Sequence, residues 1–526
     1  MTRSWFTRLC GLVALAFLAL FLFYPLVVIL LRSLTSWDAV LGALTNPFYR
    51  ERLGFTAYQA LLSTALTVLI GLPSALLFAR FDFVGKKLLR SAFTIPFVMP
   101  TVVAGIGFLA LFGPRGLVGV NLRDSLTLIL LAHVFYNYAI VVRIVGSYLE
   151  AASPKLREAA QMLGASPART LWRVTLPVAA PAIFAAATLV FIFCFTSFGV
   201  IVILAPSPSF ATLEVEIYRL TARLLRLEQA AVLVLAQLVV ISLFTWIYTR
   251  MQVRLAVPMG GGGTALPRPT GGWRVLLWLN LIGAVLLILS PLGALVYQAF
   301  WPGGGWWPSG RNVQLLLEAR PSVGFAGVGQ ALGNSLRFAG SSLLLSLVVG
   351  FAFAYAVVRG GWRWLDTLSL LPLATSAVTL GFGYLIAFPA LRASPWGLVL
   401  AHTLIAFPFV TRSLLPALRG LPPNLTRAAQ VLGARPLAIL RRVELPLLLP
   451  ALITAASFAF AVSMGEFGAS LVLSRPEYAT LPVAIFDRLG RPGAANYGSA
   501  LVLATLLMVV TGAVMLILER FGEGEF

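Results

Sequence analysis

Few side chains in this 526-residue chain could do chemistry, and those few lie in apolar surroundings. Apart from Asp366 at the very start of one stretch, Glu466, within Ser463-Met464-Gly465-Glu466-Phe467-Gly468, is the only carboxylate inside a stretch apolar enough to cross a membrane. A carboxylate there costs about 2.5–3.5 kcal/mol on insertion scales, so it is expected to face a pathway or a partner, where it would attract a cation. The competing reading is structural: Glu466 pairs with a buried arginine such as Arg412, or caps a helix broken near Gly465 and Gly468. His133 and His402 are the only histidines. Imidazole could ligate a metal, but neither residue has a cysteine or carboxylate cluster beside it, and hydrogen bonding within a helical bundle also accounts for both. Arg143 and Arg412 could line an exit, although an arginine near a helix end also snorkels to headgroups. Cys10 and Cys194 lie in apolar runs, which excludes a disulfide framework or a zinc cluster. None of the three lysines, Lys86, Lys87 and Lys155, stands in the G-x-x-x-x-G-K-[ST] context that holds nucleotide phosphates. No serine with a base and no histidine pair with carboxylates forms a catalytic constellation. The chain is expected to have no catalytic residues, no metal site and no cofactor of its own.

The elements that must position these residues are membrane helices. Hydrophobic residues make up 59% of the chain and charged residues 11%, against roughly 45–50% and 25% in soluble proteins. The net charge of +21 is spread over short loops rather than gathered on a soluble patch, so it reads as membrane topology and not as nucleic-acid binding. The apolar run from about Leu9 to Leu31 exceeds the 7–15 residues of a secretory h-region and is expected to be a retained first span. A spanning helix needs about 20 apolar residues. Twelve stretches qualify: 9–31, 55–79, 91–112, 125–148, 178–204, 230–249, 275–300, 334–358, 365–390, 396–418, 447–473 and 499–518. An amino terminus on the inner side places 22 of the 39 lysines and arginines inside, 14 outside and three (Arg143, Arg337, Arg412) within spans. Both termini are then cytoplasmic.

Two copies of one segment organise the chain. Residues 154–177 (PKLREAAQMLGASPARTLWRVTLP) and 423–446 (PNLTRAAQVLGARPLAILRRVELP) lie 269 positions apart and agree at 14 of 24 positions. His133 and His402, and Arg143 and Arg412, share that offset, and Ser197-Phe198-Gly199 aligns with Glu466-Phe467-Gly468. The glycine- and proline-rich stretch 251–274 is a flexible connector, dividing the chain into a first half (1–250) and a second half (275–526) of six spans each. Six spans per half keep both repeats in one orientation, with a pseudo-twofold axis along the membrane normal and a pathway between halves. Each twin segment suits a short surface helix, a glycine-centred reversal and a proline at the start of the next span. Two copies at one spacing point to a docking element rather than to a helix that merely lies on lipid.

The pattern E-A-A, three residues, G, nine residues, V-x-L-P resembles the cytoplasmic loop of binding-protein-dependent ABC importer permeases, and the whole chain resembles two such units fused head to tail. The resemblance implies an all-α membrane fold of the type I ABC importer kind, in a bacterial inner membrane. It also implies two copies of an ATPase subunit on the cytoplasmic side, which bind ATP and Mg²⁺, and one external substrate-binding protein. Glu158, Ala159, Ala160 and Gly164, with Arg427, Ala428, Ala429 and Gly433, would face the ATPases. Arg427 departs from the expected Glu, so the two contacts need not be equivalent. The stretches 463–468, Ala479-Thr480-Leu481-Pro482, 193–199 and 211–217 resemble thiamine-type permeases, while ferric-iron permeases share the fused plan. Thiamine or a thiamine phosphate is the expected cargo, with ferric iron as the alternative. Ser197, Phe198, Tyr136, Tyr384, Glu466 and Phe467 are the expected pathway residues; an aromatic face can hold a cation such as thiazolium. An ion-coupled secondary transporter is the reading from another class, but it ordinarily needs more titratable groups in its spans.

Overall fold

The computed structural model describes residues 5–34, 40–42, 45–93, 95–151, 159–160, 162–254, 266–302, 307–322 and 325–522. In chain order the main helices are α1 (Trp5–Leu34), α2 (Pro47–Arg80), α3 (Thr101–Phe112), α4 (Leu126–Ala151), α5 (Pro167–Phe195) and α6 (Leu227–Met251). The second set is α7 (Gly272–Phe300), α8 (Val328–Val358), α9 (Ala377–Ala387), α10 (Trp396–Gly420), α11 (Pro436–Met464) and α12 (Ala494–Leu518). Residues 255–265 of the expected connector, and Glu158 in the first twin segment, lie outside the described residues.

Of twelve expected full spans, ten are, among the described residues, single helices long and apolar enough to cross a membrane. The third of each half is broken. α9 meets the preceding segment Trp364–Leu373 at a 93° bend, and α3 is a 12-residue helix that begins after Pro100. Proline lacks the N–H that continues a helix and crowds the turn before it; Pro96 and Pro100 break the first copy and Pro372 the second. Ser376 then starts α9 by accepting the Thr379 N–H at 3.1 Å. The fifth span of each half also stops short of its expected end. α5 ends at Phe195 and α11 at Met464, and short helices Gly199–Leu204 and Gly468–Leu473 follow each break.

The halves share packing that the repeat demands. α2 crosses α4 at Gly71, where a Cβ would meet Val141 at 2.9 Å, and α8 crosses α10 at Gly350, where it would meet Val410 at 2.6 Å. Small residues allow such close approach between membrane helices. The first helix of each half, however, packs on the other half. Cys10, Ala14, Leu18 and Leu22 of α1 share a core with Val349 and Phe353 of α8 and with Phe407 and Leu414 of α10. Leu277, Leu281, Ala284 and Ile288 of α7 share one with Leu77, Phe78 and Tyr138 of the first half. This exchange ties the two repeats into one body.

Candidate functional site: the twin segments and an aromatic closure

The twin segments reach nearly the same backbone solution. Pro423–Val431 is a helix with no buried residue. It ends at Gly433, φ +79°, and the Ala434 N–H bonds back to the Ala429 carbonyl at 3.0 Å. In the first copy Gly164 has φ +78°, and the Ala165 N–H reaches the Ala160 carbonyl at 3.0 Å. This left-handed helix ending favours glycine because it imposes no Cβ clash. The reversal exposes matched apolar side chains, Met162 and Leu163 in one copy (90% and 88% exposed) and Val431 and Leu432 in the other (88% and 86%). Ala159, Arg427 and Ala428 are also exposed, and Ala160 and Ala429 are half-buried. Four large apolar groups exposed at equivalent positions form two sticky knobs.

After each reversal the chain re-enters a span at Pro167 or Pro436, ten residues before the prolines expected to start it. Pro177 and Pro446 instead lie just past a π turn, in which the Leu176 N–H bonds to Leu171 and the Leu445 N–H to Leu440. The wider turn absorbs the register change caused by a residue without an N–H. In the second copy Glu444 is buried and pairs with Arg359 at 2.9 Å. Its counterpart in the first copy is Thr175.

The far ends of these spans meet at the axis between halves. Phe198 and Phe467 stack with centroids 5.6 Å apart, Tyr218 packs on Phe198 at 5.4 Å, and Phe486 packs on Phe467 at 5.4 Å. Four rings thus form a continuous chain across the interface. Below it, towards the twin segments, Arg143 and Phe193 from the first half and Arg412 and Phe409 from the second line a cavity of about 310 Å³. Above it a cavity of about 740 Å³ opens between Val202 and Ile203 of the first half and Leu489 of the second, with Tyr218 and Phe486 in its lining. Along one stretch, Phe193 lines the lower cavity, Phe198 the closure and Val202 the upper cavity.

Buried polar groups hold the helices on either side of the ring stack. His133 Nδ1 contacts the Ser63 hydroxyl at 2.8 Å and Nε2 the Ser197 hydroxyl at 2.9 Å. His402 repeats the clamp with Ser463 at 2.8 Å and Ser470 at 2.9 Å. At His133 a hydroxyl can donate or accept, so either neutral tautomer is satisfied; at His402 the Ser470 hydroxyl gives its proton to Glu466, so Nε2 donates to Ser470 and Nδ1 accepts from Ser463. Glu466 accepts the Ala469 N–H, the Ser470 N–H and the Ser470 hydroxyl, each at 2.9 Å, and lies 3.4 Å from His402 Nε2. It is buried and caps the helix Gly468–Leu473 directly beside the ring chain. Charge-assisted bonds to backbone N–H groups are among the stronger ones. Arg412 is paired with Asp366 at 2.9 Å.

The repeated architecture agrees with similarity to known proteins. The binding-protein-dependent transport system inner membrane component family matches residues 67–257 and again 342–522. The chain belongs to this family. A probable ABC transporter permease of Sinorhizobium fredii is 27% identical over 98% of this chain and 96% of its own. A thiamine transport system permease of Escherichia coli is 27% identical over 87% of each chain. A putative 2-aminoethylphosphonate permease of Salmonella paratyphi A is 32% identical over 35% of this chain and 74% of its own. The protein is therefore a multi-pass inner membrane ABC permease built from two fused units.

Within this permease the expected pathway residues divide. Phe198 and Phe467 stack on each other at the interface between halves, while Ser197 and Glu466 are hydrogen-bonded beside them. Tyr136 flanks the stack, donating to the Pro100 carbonyl at 3.1 Å. Tyr384 is fully buried and packs on Phe388 and on Phe21 of α1, away from the four rings. Tyr218 and Phe486 escaped notice in the sequence. The signal was present: Ala211-Thr212-Leu213 and Ala479-Thr480-Leu481 align at an offset of 268, and the same offset pairs Tyr218 with Phe486. Glu214, fully buried and bonded by the Gln237 amide of α6, also lay outside the expected spans.

Proposed function

We propose that this permease imports a small organic solute under ATP, with one ATPase subunit docked on each twin segment and an external binding protein delivering cargo to the opposite face. The observation that carries this reading is the continuity of each exposed segment, through a single helix, with one ring of the Phe198–Phe467 stack. The segment face is cytoplasmic, consistent with 22 of the 39 basic residues on that side. ATP and Mg²⁺ belong to the partner subunits. ATP-driven closure of the ATPases draws the two segments together and parts the rings, and only contacts that differ between the two states can drive that shift.

The cargo we infer is thiamine or a thiamine phosphate. Relatives named as thiamine permeases align over nearly the whole chain, including one from Brucella abortus at 28% identity over 89% of this chain and 86% of its own. Full-length permease reconstituted with ATPase and binding protein in proteoliposomes provides the test. Uptake that needs ATP and is abolished without the ATPase is expected. Uptake driven by a proton gradient in the absence of any ATPase would overturn the reading.

A further inference from the structure

The upper cavity has a charge that neither free thiamine nor a ferric cation would choose. Five arginines line it: Arg115, Arg123, Arg219, Arg223 and Arg491. Among the described residues no carboxylate lines it. The neighbouring carboxylates are committed: Glu216 pairs with Arg219 at 3.0 Å, Asp487 with Arg491 at 3.0 Å, and Asp124 accepts the Ser207 N–H at 2.9 Å. Arg115, Arg123 and Arg223 make no ion pair among the described residues. All three are exposed, so their guanidinium groups form a rim of net positive charge, which Asp124 beside Arg123 offsets only in part. Below the rings Arg143 lines the lower cavity beside Arg412, whose charge is offset by Asp366.

We propose that the upper cavity receives an anionic organic cargo bearing a phosphoryl group, with Arg115, Arg123 and Arg223 on the phosphoryl and the Tyr218 and Phe486 rings under the organic part. The arginine fork matches phosphate oxygens bidentately, and three forks suit a group with more than one negative charge. The volume of about 740 Å³ suits a small organic molecule rather than a bare inorganic ion. A ring of positive charge would also concentrate anions at the mouth and repel cations. This inference rests on the importer reading above, and it chooses the phosphorylated cargo over the free cation.

Thiamine and thiamine monophosphate differ only by the phosphoryl group and serve as the probes. Binding of each to the full-length permease in neutral-lipid nanodiscs needs no ATPase, so its outcome is independent of the transport assay. The monophosphate is expected to bind about tenfold more tightly than thiamine, and the preference to fade as salt rises. Arg115→Gln/Arg123→Gln/Arg223→Gln is expected to abolish the preference, and the triple lysine variant to keep part of it. Equal affinities, tighter thiamine binding, or an unchanged preference in the glutamine variant would each overturn the proposal. If the glutamine variant does not fold, the salt dependence of the wild type decides. In the reconstituted importer the glutamine variant should lose uptake of the monophosphate selectively. An equal loss for both probes together with weakened binding-protein association would instead make the arginines a docking surface and refute the cargo assignment.

Discussion

Gly433 offers a clean perturbation of the proposed coupling surface, because its space and its backbone can be separated. A Cβ built there meets no atom within 4 Å, so substitution creates no clash. What remains is φ at +79°. A left-handed conformation costs a residue with a Cβ about 1–2 kcal/mol, and a β-branched residue stands at the upper end. The Ala429–Ala434 hydrogen bond that closes the helix depends on that conformation. Gly433→Val should therefore depopulate the turn that presents Val431 and Leu432 by about 5- to 30-fold. Gly433→Asn should cost much less, since asparagine tolerates this region. Affinity of the purified permease for its ATPase subunit measures the effect directly. The expected order is Gly, Asn, Ala, Val, with Val weakening association by about tenfold. Gly164→Val should match it, because φ there is +78° and its Cβ is equally unobstructed. Wild-type association and full transport in the Gly164→Val/Gly433→Val double variant would refute the assignment of these segments as docking elements.

Three further outcomes test the closure and the fold. Phe198→Ala or Phe467→Ala removes one member of the stacked pair and leaves a void of ring size, so ATP-independent leak of cargo from proteoliposomes should rise; no change in leak would mean that the rings do not close the path. Glu466→Gln keeps the shape but weakens the three bonds that cap Gly468–Leu473, at a cost of about 1.5–3 kcal/mol, and the melting temperature should fall while the order of cargo preference persists. Unaltered melting with altered preference would place Glu466 on the cargo instead. Gly350→Leu drives a side chain into Val410 at the α8–α10 crossing and should abolish monodisperse protein, whereas Gly283→Leu, where a Cβ meets nothing, should leave yield and melting unchanged. Comparable yields for the two would undercut the close-packed crossing.

Apolar run lengths placed nearly every span, because crossing a membrane demands about 20 uninterrupted apolar residues and the sequence displays them. The same rule misjudged the third span of each half. Pro96, Pro100 and Pro372 sit in runs that are apolar enough but cannot stay straight. It also joined α5 to Gly199–Leu204 and α11 to Gly468–Leu473, since hydropathy does not register a break at Thr196 or Gly465. The twin segments were legible because a polar, basic pattern at a fixed offset stands out against apolar surroundings. Exchange of α1 and α7 between halves was not legible. Nothing along α1 names Phe353 or Phe407 as its neighbours, since any apolar helix face would satisfy those residues equally well. The histidines illustrate the same limit: their common offset was visible, but their serine partners are separated from them by 61 to 70 positions.

The geometry also bears on how a push at one face could open a closure at the other. Packed interiors are bistable rather than compliant, so a signal travels best along an element that moves as one piece. α5 and α11 are such elements. The helical stretches Leu176–Phe195 and Leu445–Met464 are each 20 residues long, or about 30 Å. The irregular features lie near the segment end: the π turns 171–175 and 440–444, then Pro177 and Pro181 or Pro446 and Pro450. Irregularity is therefore concentrated next to the exposed twin segments, and the remainder of each helix is a regular rod that ends three residues from Phe198 or Phe467. The clamps on His133 and His402 fix those ends to α4 and α10, so a tilting rod carries its neighbouring helix with it. Glu466 caps the second end where Ser197 stands in the first, which makes the two rods unequal at the closure as well as at the segments. The proposed grip and gate, both pseudosymmetric, predict that the matched variants Phe198→Ala and Phe467→Ala will differ in leak, with the Glu466-braced side holding its position better.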